Sequence, residues 1–425
     1  MSFPRYPEHK DSGVEWLGKV PAHWAVVQFK QFVDIQNGSD HKHVEQAEGY
    51  PVLGSGGVFT YASEFLYDGE SVLLGRKGTI DKPLHITGRF WTVDTMYWTK
   101  ISPEVSGRFT YYLALTIPFD YYSTNTALPS MTKGALSSHR VAFPPLTEQT
   151  QIASFLDRET AKIDELVAEQ RRLTALLKEK RQAVISHAVT QGLNPDVPMK
   201  PSGIEWLGDV PAHWTVASVR RVVRRIEQGW SPDCFGRPAE PDEWGVVKSG
   251  CVNRGVFVEQ ENKALPETLD PIPEYEIHAG DVLMSRASGS PELVGSTAYI
   301  TATRPKLMLS DKIFRIYTEP SIDRKFFVAV FNSRVMRSQI ERAISGADGL
   351  ANNLPQSAMK GFFCVVPSID EQQAIVSFLA SESTKFDTLT SEAQRAIDLL
   401  QERRTALISA AVTGQIDVRG TVESL

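Results

Sequence analysis

Pro144-Pro145-Leu146-Thr147-Glu148-Gln149 opens a stretch that runs on to Gln191 with no glycine or further proline. Ile152, Leu156, Ile163, Leu166, Leu173, Leu177 and Val184 recur along it at helical spacing, which predicts one long helix. The pattern returns near the C-terminus. Pro367, Glu371, Gln372, Ile375, Phe378, Leu379, Lys385, Asp387, Leu389, Leu400, Glu402, Arg404, Ile408 and Ser409 match Pro144, Glu148, Gln149, Ile152, Phe155, Leu156, Lys162, Asp164, Leu166, Leu177, Glu179, Arg181, Ile185 and Ser186 at a constant offset of 223, without a gap. One long helix, used twice, frames the chain.

The helix boundaries carry their own signals. Thr147 and Asp370 are the expected caps, the prolines before them break the incoming chain, and Gly192 and Gly414 mark the ends. About 44 residues at a rise of roughly 1.5 Å each would span on the order of 65 Å. The first seam has the 3-4 spacing of a coiled coil, and its counterpart is Ile375, Leu379, Phe386, Leu389, Ala396, Leu400 and Leu407. The expected arrangement is an antiparallel pair of helices within one chain. The two halves are then related by a pseudo-twofold axis, and the C-terminus returns to the N-terminus.

A second repeat confirms the duplication. Ser12-Gly13-Val14-Glu15-Trp16-Leu17-Gly18-Lys19-Val20-Pro21-Ala22-His23-Trp24 returns as Ser202-Gly203-Ile204-Glu205-Trp206-Leu207-Gly208-Asp209-Val210-Pro211-Ala212-His213-Trp214, with 11 of 13 positions identical at an offset of 190. Each half therefore opens with one motif and closes with one helix, and the material between is 33 residues longer in the second half (223 − 190). Trp16, Trp24, Trp206 and Trp214 are expected to anchor this opening motif on the core, with Pro21 and Pro211 fixing the backbone.

The intervening material reads as mixed α and β. Strands are predicted at Ser71–Leu74, Phe90–Trp98, Asp281–Met284 and Ile313–Tyr317, and helices at Phe109–Leu115 and Lys325–Ile344. Val72-Leu73-Leu74-Gly75-Arg76 resembles Val282-Leu283-Met284-Ser285-Arg286. Leu128-Pro129 followed by Lys133-Gly134 resembles Leu354-Pro355 followed by Lys360-Gly361. The fold class is α+β: one mixed fold carrying two different surfaces.

Composition narrows the function. Apolar residues at 42% and charged residues at 23% are ordinary for a soluble globular protein. Three scattered cysteines argue against a disulfide framework and for a reducing compartment. The N-terminus lacks the apolar core of a secretory signal, and runs such as Phe326–Phe331 fall short of a membrane span, so a cytoplasmic location is expected. The net charge of −6 argues against nonspecific coating of nucleic acid, yet residues 367–425 carry nine acidic against five basic side chains, which leaves room for a local basic face elsewhere.

Catalytic signatures are missing. No Asn/Asp-Pro-Pro-Tyr/Phe methyltransferase motif and no phosphate loop occur, and Gly54-Ser55-Gly56-Gly57 has no helix after it and reads as a turn. His41-Lys42-His43 has no companion ligand cluster, so neither a metal nor a cofactor site is expected. A binding role is favoured over an enzyme.

The paired Ser-Gly-x-Glu-Trp-Leu-Gly-x-Val-Pro-Ala-His-Trp motifs, the Pro-Pro-Leu-x-Glu-Gln helix start and the duplicated layout resemble the specificity subunit of type I restriction–modification enzymes, over nearly the whole chain. The resemblance implies two target-recognition domains, residues 1–146 and 196–366. It also implies two conserved helical spacers, residues 147–195 and 367–425. Each domain would read one half of a bipartite site on double-stranded DNA, with the helices setting the spacer and docking two methyltransferase subunits. Those subunits would bring S-adenosylmethionine and methylate a flipped adenine, and restriction/translocase subunits would bring ATP and magnesium. The chain itself would be noncatalytic and hold no cofactor. A coiled-coil scaffold whose globular ends bind proteins is the alternative.

Base readout favours Arg or Lys on guanine and Asn or Gln on adenine, while phosphates accept Arg, Lys, Ser and backbone amides. The candidates in the first half are Tyr61, Arg76, Lys77, Thr79, Asn125 and Lys133. In the second they are Lys248, Asn253, Arg254, Arg286, Ser288, Lys312, Asn352 and Asn353. Each serves equally well as a solvated loop residue, except that Arg76 and Arg286 occupy matching positions after matching strands. Arg220, Arg221, Arg224 and Arg225 form the densest basic cluster, fit for phosphate or for a solvated face.

Overall fold

The computed structural model describes residues 3–122, 129–344 and 352–420. It divides into two compact units: one holds the chain up to Arg172 together with the part from Ala393 onward, the other runs from Leu173 to Glu392. Two long helices, Leu146–Gln191 and Ile369–Val412, run unbroken, and each unit takes in a half of both.

In the first unit the opening motif folds as a small hairpin, His9–Asp11 against Lys19–Pro21. It ends on Trp24, which is fully buried. Its indole Nε1 donates to Glu148 Oε2 at 3.0 Å, Tyr6 donates its hydroxyl to the same oxygen at 3.1 Å, and His23 Nε2 lies 2.7 Å from Glu148 Oε1. Strand Ala25–Gln28 then pairs with Arg140–Phe143, the strand that delivers the chain into the helix. Gln149 completes the joint. Its Nε2 donates to Pro144 O at 2.9 Å and its Oε1 accepts the backbone N–H of Ser106 at 3.0 Å, the cap of helix Gly107–Ala114.

The second unit repeats this joint. Trp214 Nε1 donates to Glu371 Oε1 at 3.0 Å, His213 Nε2 lies 2.7 Å from that oxygen, and Thr215–Ser218 pairs with Phe363–Val366. Gln372 donates to Pro367 O and accepts the backbone N–H of Asp323, the cap of helix Arg324–Phe331. The glycine ends hold too: Gly192 and Gly414 have φ of +79° and +72°. A Cβ on Gly414 would come within 2.3 Å of Pro21, and one on Gly192 within 3.1 Å of Trp214. Each opening motif is thus wedged between the start of one long helix and the end of the other.

The two mixed regions share a four-stranded core in the same order. In the first unit it is Val33–Asn37, Met96–Ile101, Tyr67–Gly75, Leu84–Thr92, and the sheet continues through Tyr50–Gly54, Gly57–Ala62 and Glu45–Gln46. In the second it is Val223–Gln228, Ile313–Thr318, Val282–Ser285, Thr297–Tyr299, and Asn262–Ala264, Gly245–Val247 and Leu307–Met308 form a separate three-stranded sheet. Aromatic and aliphatic side chains fill both cores, with Phe109, Tyr112 and Phe155 in one and Phe314, Phe326 and Phe327 in the other.

Several sequence expectations need correction. Phe90–Trp98 is two strands joined by a turn at Val93–Thr95, where Met96 N donates to Val93 O. Lys325–Ile344 is two helices, Arg324–Phe331 and Arg334–Ala343, because Ser333 caps the second by accepting the N–H of Met336. Thr147 and Asp370 lie inside their helices rather than capping them; in the second, Ser368 and Glu371 form a reciprocal capping pair. Trp16 is not a core anchor: it is 47% exposed and stacks on His139.

The helix seam also differs. Ile152, Leu156, Ile163, Leu177, Ile375, Leu379 and Phe386 are buried, and Val184, Ala396, Leu400 and Leu407 half-buried. Leu166, Leu173 and Leu389 face outward at 45%, 43% and 46% exposure. The seam runs instead through Thr160, Ile163, Val167, Gln170, Thr174, Leu177, Arg181, Val184 and Ala188, alternating steps of three and four. Its equivalents 223 residues on are Ser383, Phe386, Thr390, Ala393, Ile397, Leu400, Arg404, Leu407 and Ala411. A helix turns about 100° per residue, so reading the seam from the leucines placed Leu166 and Leu173 one step off the interface. Antiparallel packing shows within each unit. Arg404 Nε meets Asp164 Oδ1 at 2.9 Å in the first and Arg181 Nη1 meets Asp387 Oδ1 at 2.6 Å in the second, the same pair carried over by 223.

Val167→Asp should therefore cost roughly 3 kcal/mol or more of stability in chemical denaturation, while Leu166→Asp should change it by less than about 0.5 kcal/mol. Burial opposes ionisation of Glu371, but hydrogen bonds from Trp214, His213 and Ser368 outweigh it and bring the carboxyl down to about 2. Its stabilisation is complete above the ordinary carboxylate range near 4.5 and is lost as pH falls towards 2. Glu371→Gln should lower the melting temperature at neutral pH and flatten its decline between about pH 4.5 and 2.

Candidate nucleic-acid interface

The central strand of each core sheet ends in a tight loop. In the first unit Tyr67–Gly75 stops at Gly75, where an added Cβ would lie 2.4 Å from Thr79 O. Arg76 follows. Its backbone N–H donates to Thr95 O at 2.9 Å, its carbonyl accepts Met131 N–H at 2.9 Å, its Nη1 donates to Asp94 O at 3.3 Å, and its guanidinium lies 5.7 Å from the Tyr97 ring centre. In the second unit Arg286 makes the same four contacts. Its backbone pairs with Lys312 O and Leu354 N–H, its Nη1 donates to Asp311 O at 3.1 Å, and its guanidinium lies 6.0 Å from the Phe314 ring. Both arginines are half-buried and aimed by the same turn. One Nη1 is engaged in each case, which leaves other guanidinium donors available to a ligand.

These contacts fix the register. Met131 corresponds to Leu354, again 223 apart, so the match of Leu128-Pro129 to Leu354-Pro355 is three residues out. Lys133 has Gln356 as its counterpart, not Lys360. The gapless offset thus reaches upstream of the long helix, through the short helices Lys133–Ser138 and Gln356–Gly361.

Around Arg76 the structure gathers Lys77 and Thr79, both exposed. Lys77 bridges to Ser130, and Gly78 N donates to Pro129 O. Lys133 caps the edge of this group, exposed and 3.9 Å from Asp34. Asn125 lies outside the described residues. Around Arg286 it gathers Ser288, Asn352 and Asn353 through the pairing of Ala287–Ser288 with Asn352–Asn353, and Lys312, whose Nζ is 3.3 Å from Asp311.

Four other candidates, Tyr61, Lys248, Asn253 and Arg254, are not bonded to either arginine loop among the described residues. Tyr61 is on the outer hairpin opposite Pro51, and Lys248, just after strand Gly245–Val247, is 3.3 Å from Glu261. Arg254 sits in a left-handed turn at φ +60° next to Asn253. Arg220, Arg221, Arg224 and Arg225 are all exposed, with Arg225 tied to Glu227. Among the described residues no group of three or more His, Cys, Asp or Glu is placed to hold a metal ion. No helix among them is long and apolar enough to cross a membrane. Burial pushes the thiols of Cys251 and Cys364 up to about 12, which makes them poor nucleophiles.

Sequence reasoning missed Gln228 and Ser231. Gln228 Nε2 donates to Asp311 O at 2.9 Å, and Ser231 hydrogen-bonds the Asp311 carboxylate, so both join the Arg286 group. The signal was a glycine. Gly38 and Gly229 each follow the first core strand, and a Cβ there would fall 2.0 Å from Val93 O and 1.8 Å from Leu309 O. Only glycine lets this segment pack against the turn beneath the arginine.

Residues 21–174 match the family model described as the type I restriction modification DNA specificity domain. That match covers residues 21–174 only, and the curated proteins to which the chain is similar are named type I restriction enzyme specificity subunits. The chain is 30% identical over 240 residues to the EcoEI specificity subunit of Escherichia coli, covering 56% of this chain and 40% of that protein. It is 21% identical to the EcoKI specificity subunit of E. coli strain K12, over 67% of this chain and 59% of that one. The matched stretch is therefore less than two thirds of the length of either relative. With the MjaVIII specificity subunit of Methanocaldococcus jannaschii, identity is 23% over 94% of this chain and 95% of that one.

Solved structures agree on the fold. A chain from a study of complex assembly and conformational transition of the type I R-M system aligns with TM-score 0.68 at 13% identity, over 92% of this chain and 98% of that one. The HsdS subunit of Thermoanaerobacter tengcongensis aligns with TM-score 0.50 at 13% identity, over 93% and 98%. The residues that match the family model span the Arg76 loop and the Glu148 joint.

Gly229→Ala should cost about 1–3 kcal/mol through overpacking against the Leu309 carbonyl. A lowered melting temperature, together with faster hydrogen exchange in the Arg286 loop, is the expected result.

Proposed function

We propose that this chain is the noncatalytic DNA-specificity subunit of a type I restriction–modification complex. Each unit presents its arginine loop to one half of a bipartite site. The long helices space the two readers and dock two methyltransferase subunits. S-adenosylmethionine belongs to those subunits, and ATP and magnesium to the restriction subunits.

The observation that carries this reading is the repeated setting of Arg76 and Arg286. Both arginines are held at the same strand end, over an aromatic ring, by the same backbone contacts. The side chains around the arginines differ between the units: Lys77 and Ser130 pair in one where Ala287 and Asn353 pair in the other. A shared frame that aims one strong guanine or phosphate ligand while varying its neighbours suits two readers of two different half-sequences. Joining two readers through a stiff connection turns their spacing into part of the specificity.

With its partner methyltransferase, Arg286→Ala should relax reading of one half-site by about 10- to 100-fold and leave the other intact, and Arg76→Ala should do the reverse. Methylation mapped over a library of half-site variants checks this; equal relaxation of both halves by either variant would refute separate readers. Inserting one heptad into both long helices should change the preferred spacer length in the same assay, and an unchanged spacer would remove the ruler role. The purified chain with S-adenosylmethionine should methylate no DNA.

A further inference from the structure

Equivalent places lie beside the short helices Gly107–Ala114 and Arg324–Phe331, and the duplication has treated them differently. In the first unit this place is filled by the chain's own carboxylates. Glu70 bonds His85 Nε2 at 2.7 Å and lies over Gly107, where an added Cβ would sit 2.1 Å from its carboxyl carbon. Asp157, on the long helix, accepts Arg108 Nε at 2.6 Å and the Tyr112 hydroxyl at 2.7 Å.

The registers identify the same places in the second unit. Val72 faces His85 as Val282 faces Tyr299, so Gly280 stands where Glu70 does. Ser106 and Asp323 are the caps held by Gln149 and Gln372, so Arg324 and Lys325 stand at Gly107 and Arg108, and Ala329 at Tyr112. The offset of 223 puts Ala380 at Asp157. The carboxylates of Glu70 and Asp157 and the ring of Tyr112 are gone, a cation has been added at the place of Gly107, and Asp323 and Tyr299 stand where Ser106 and His85 do.

What remains is a groove of about 500 Å³ lined by Tyr299, Asp323, Arg324, Lys325, Gln373 and Ser377. Arg324 Nη1 donates to Gly280 O at 2.8 Å, and Lys325 Nζ lies 5.2 Å from the Tyr299 ring centre. Both side chains are exposed, and among the described residues neither meets a carboxylate. Asp323 is the acid in the lining, and its Oδ1 is taken by the backbone N–H groups of Lys325 and Phe326 at 2.8 and 2.9 Å.

We infer that this groove receives an acidic segment of a partner protein, whose carboxylate takes the place that Asp157 and Glu70 fill in the first unit. The first unit shows directly which chemistry fits: carboxylates against a guanidinium, a tyrosine hydroxyl and an imidazole. A DNA phosphate is disfavoured by place. The groove adjoins Gly280, which precedes strand Val282–Ser285, whereas Arg286 follows its far end. Because Arg108 of the first unit is already paired with Asp157, the second unit presents this surface alone among the described residues. The inference is independent of which DNA the arginine loops read.

The probe is a fluorescein-labelled hexaglutamate peptide, titrated against the full chain by anisotropy at low ionic strength. Arg324→Gln/Lys325→Gln should weaken binding at least tenfold. Ala380→Asp, which restores the internal carboxylate, should do the same without lowering the melting temperature. Affinity for duplex DNA, measured in parallel, should change less than twofold in both variants. Peptide binding that is absent from the unaltered chain, or that survives both substitutions, overturns the inference. A loss of duplex affinity equal to the loss of peptide affinity also overturns it, and assigns the groove to phosphate.

Discussion

A carboxylate in the first turn of each long helix, accepting a buried indole N–H, is the interaction on which the rest depends. Glu148 takes Trp24 and Glu371 takes Trp214. Trp24 and Trp214 are the bulkiest fully buried side chains, so each contributes a large apolar area, yet each indole N–H must find an acceptor once buried. The glutamate meets that need and gains from lying at the positive end of a helix. Neighbouring Gln149 and Gln372 then clamp the cap of a short helix to the same turn. Two adjacent residues thereby weld the opening motif, the short helix and the long helix together.

The weld explains what the duplication preserved and what it let drift. Around it the offset of 223 holds without a gap from Met131/Leu354 through the strand and along the helix to Thr190/Thr413, because a shift of one residue would turn the seam by about 100° and take the glutamate off the tryptophan. Away from it the strand order survives while lengths change, so that one unit continues its sheet to seven strands and the other splits off three. The first unit adds a C-terminal latch. Arg419 pairs with Asp417 and lies 4.8 Å from the ring centre of Tyr6, whose hydroxyl also reaches Glu148. The burial of Tyr6 and the nearby carboxylates push its phenol well above its usual range, which keeps it a neutral donor to Glu148.

The arginine loops show how function is grafted onto this frame. Arg76 and Arg286 are each pinned through backbone groups, so their neighbours can be exchanged without moving them. Gln228 and Ser231 belong to the second loop group although nothing in their immediate sequence marks them. They arrive there because Gly229 lets the chain close onto the turn after Leu309, an event of packing between segments some 80 residues apart.

Much was legible in the residues alone, for definite physical reasons. A repeat is a comparison of the chain with itself, so the two halves, the two long helices and their glycine ends, and the matching of Arg76 with Arg286 follow without coordinates. Side-chain burial does not. The leucines Leu166, Leu173 and Leu389 look like a seam but face outward, while Val167 and Ile397 are buried and polar Gln170 and Thr174 half-buried on the interface. Hydrophobicity reports what a side chain prefers, but the partner helix decides which face is covered. In the same way nothing in the local sequence pairs His23 or His213 with a partner, and the fold sets each against a glutamate more than a hundred residues away. Contacts of that range depend on how strands and helices meet in space, which local spacing does not encode.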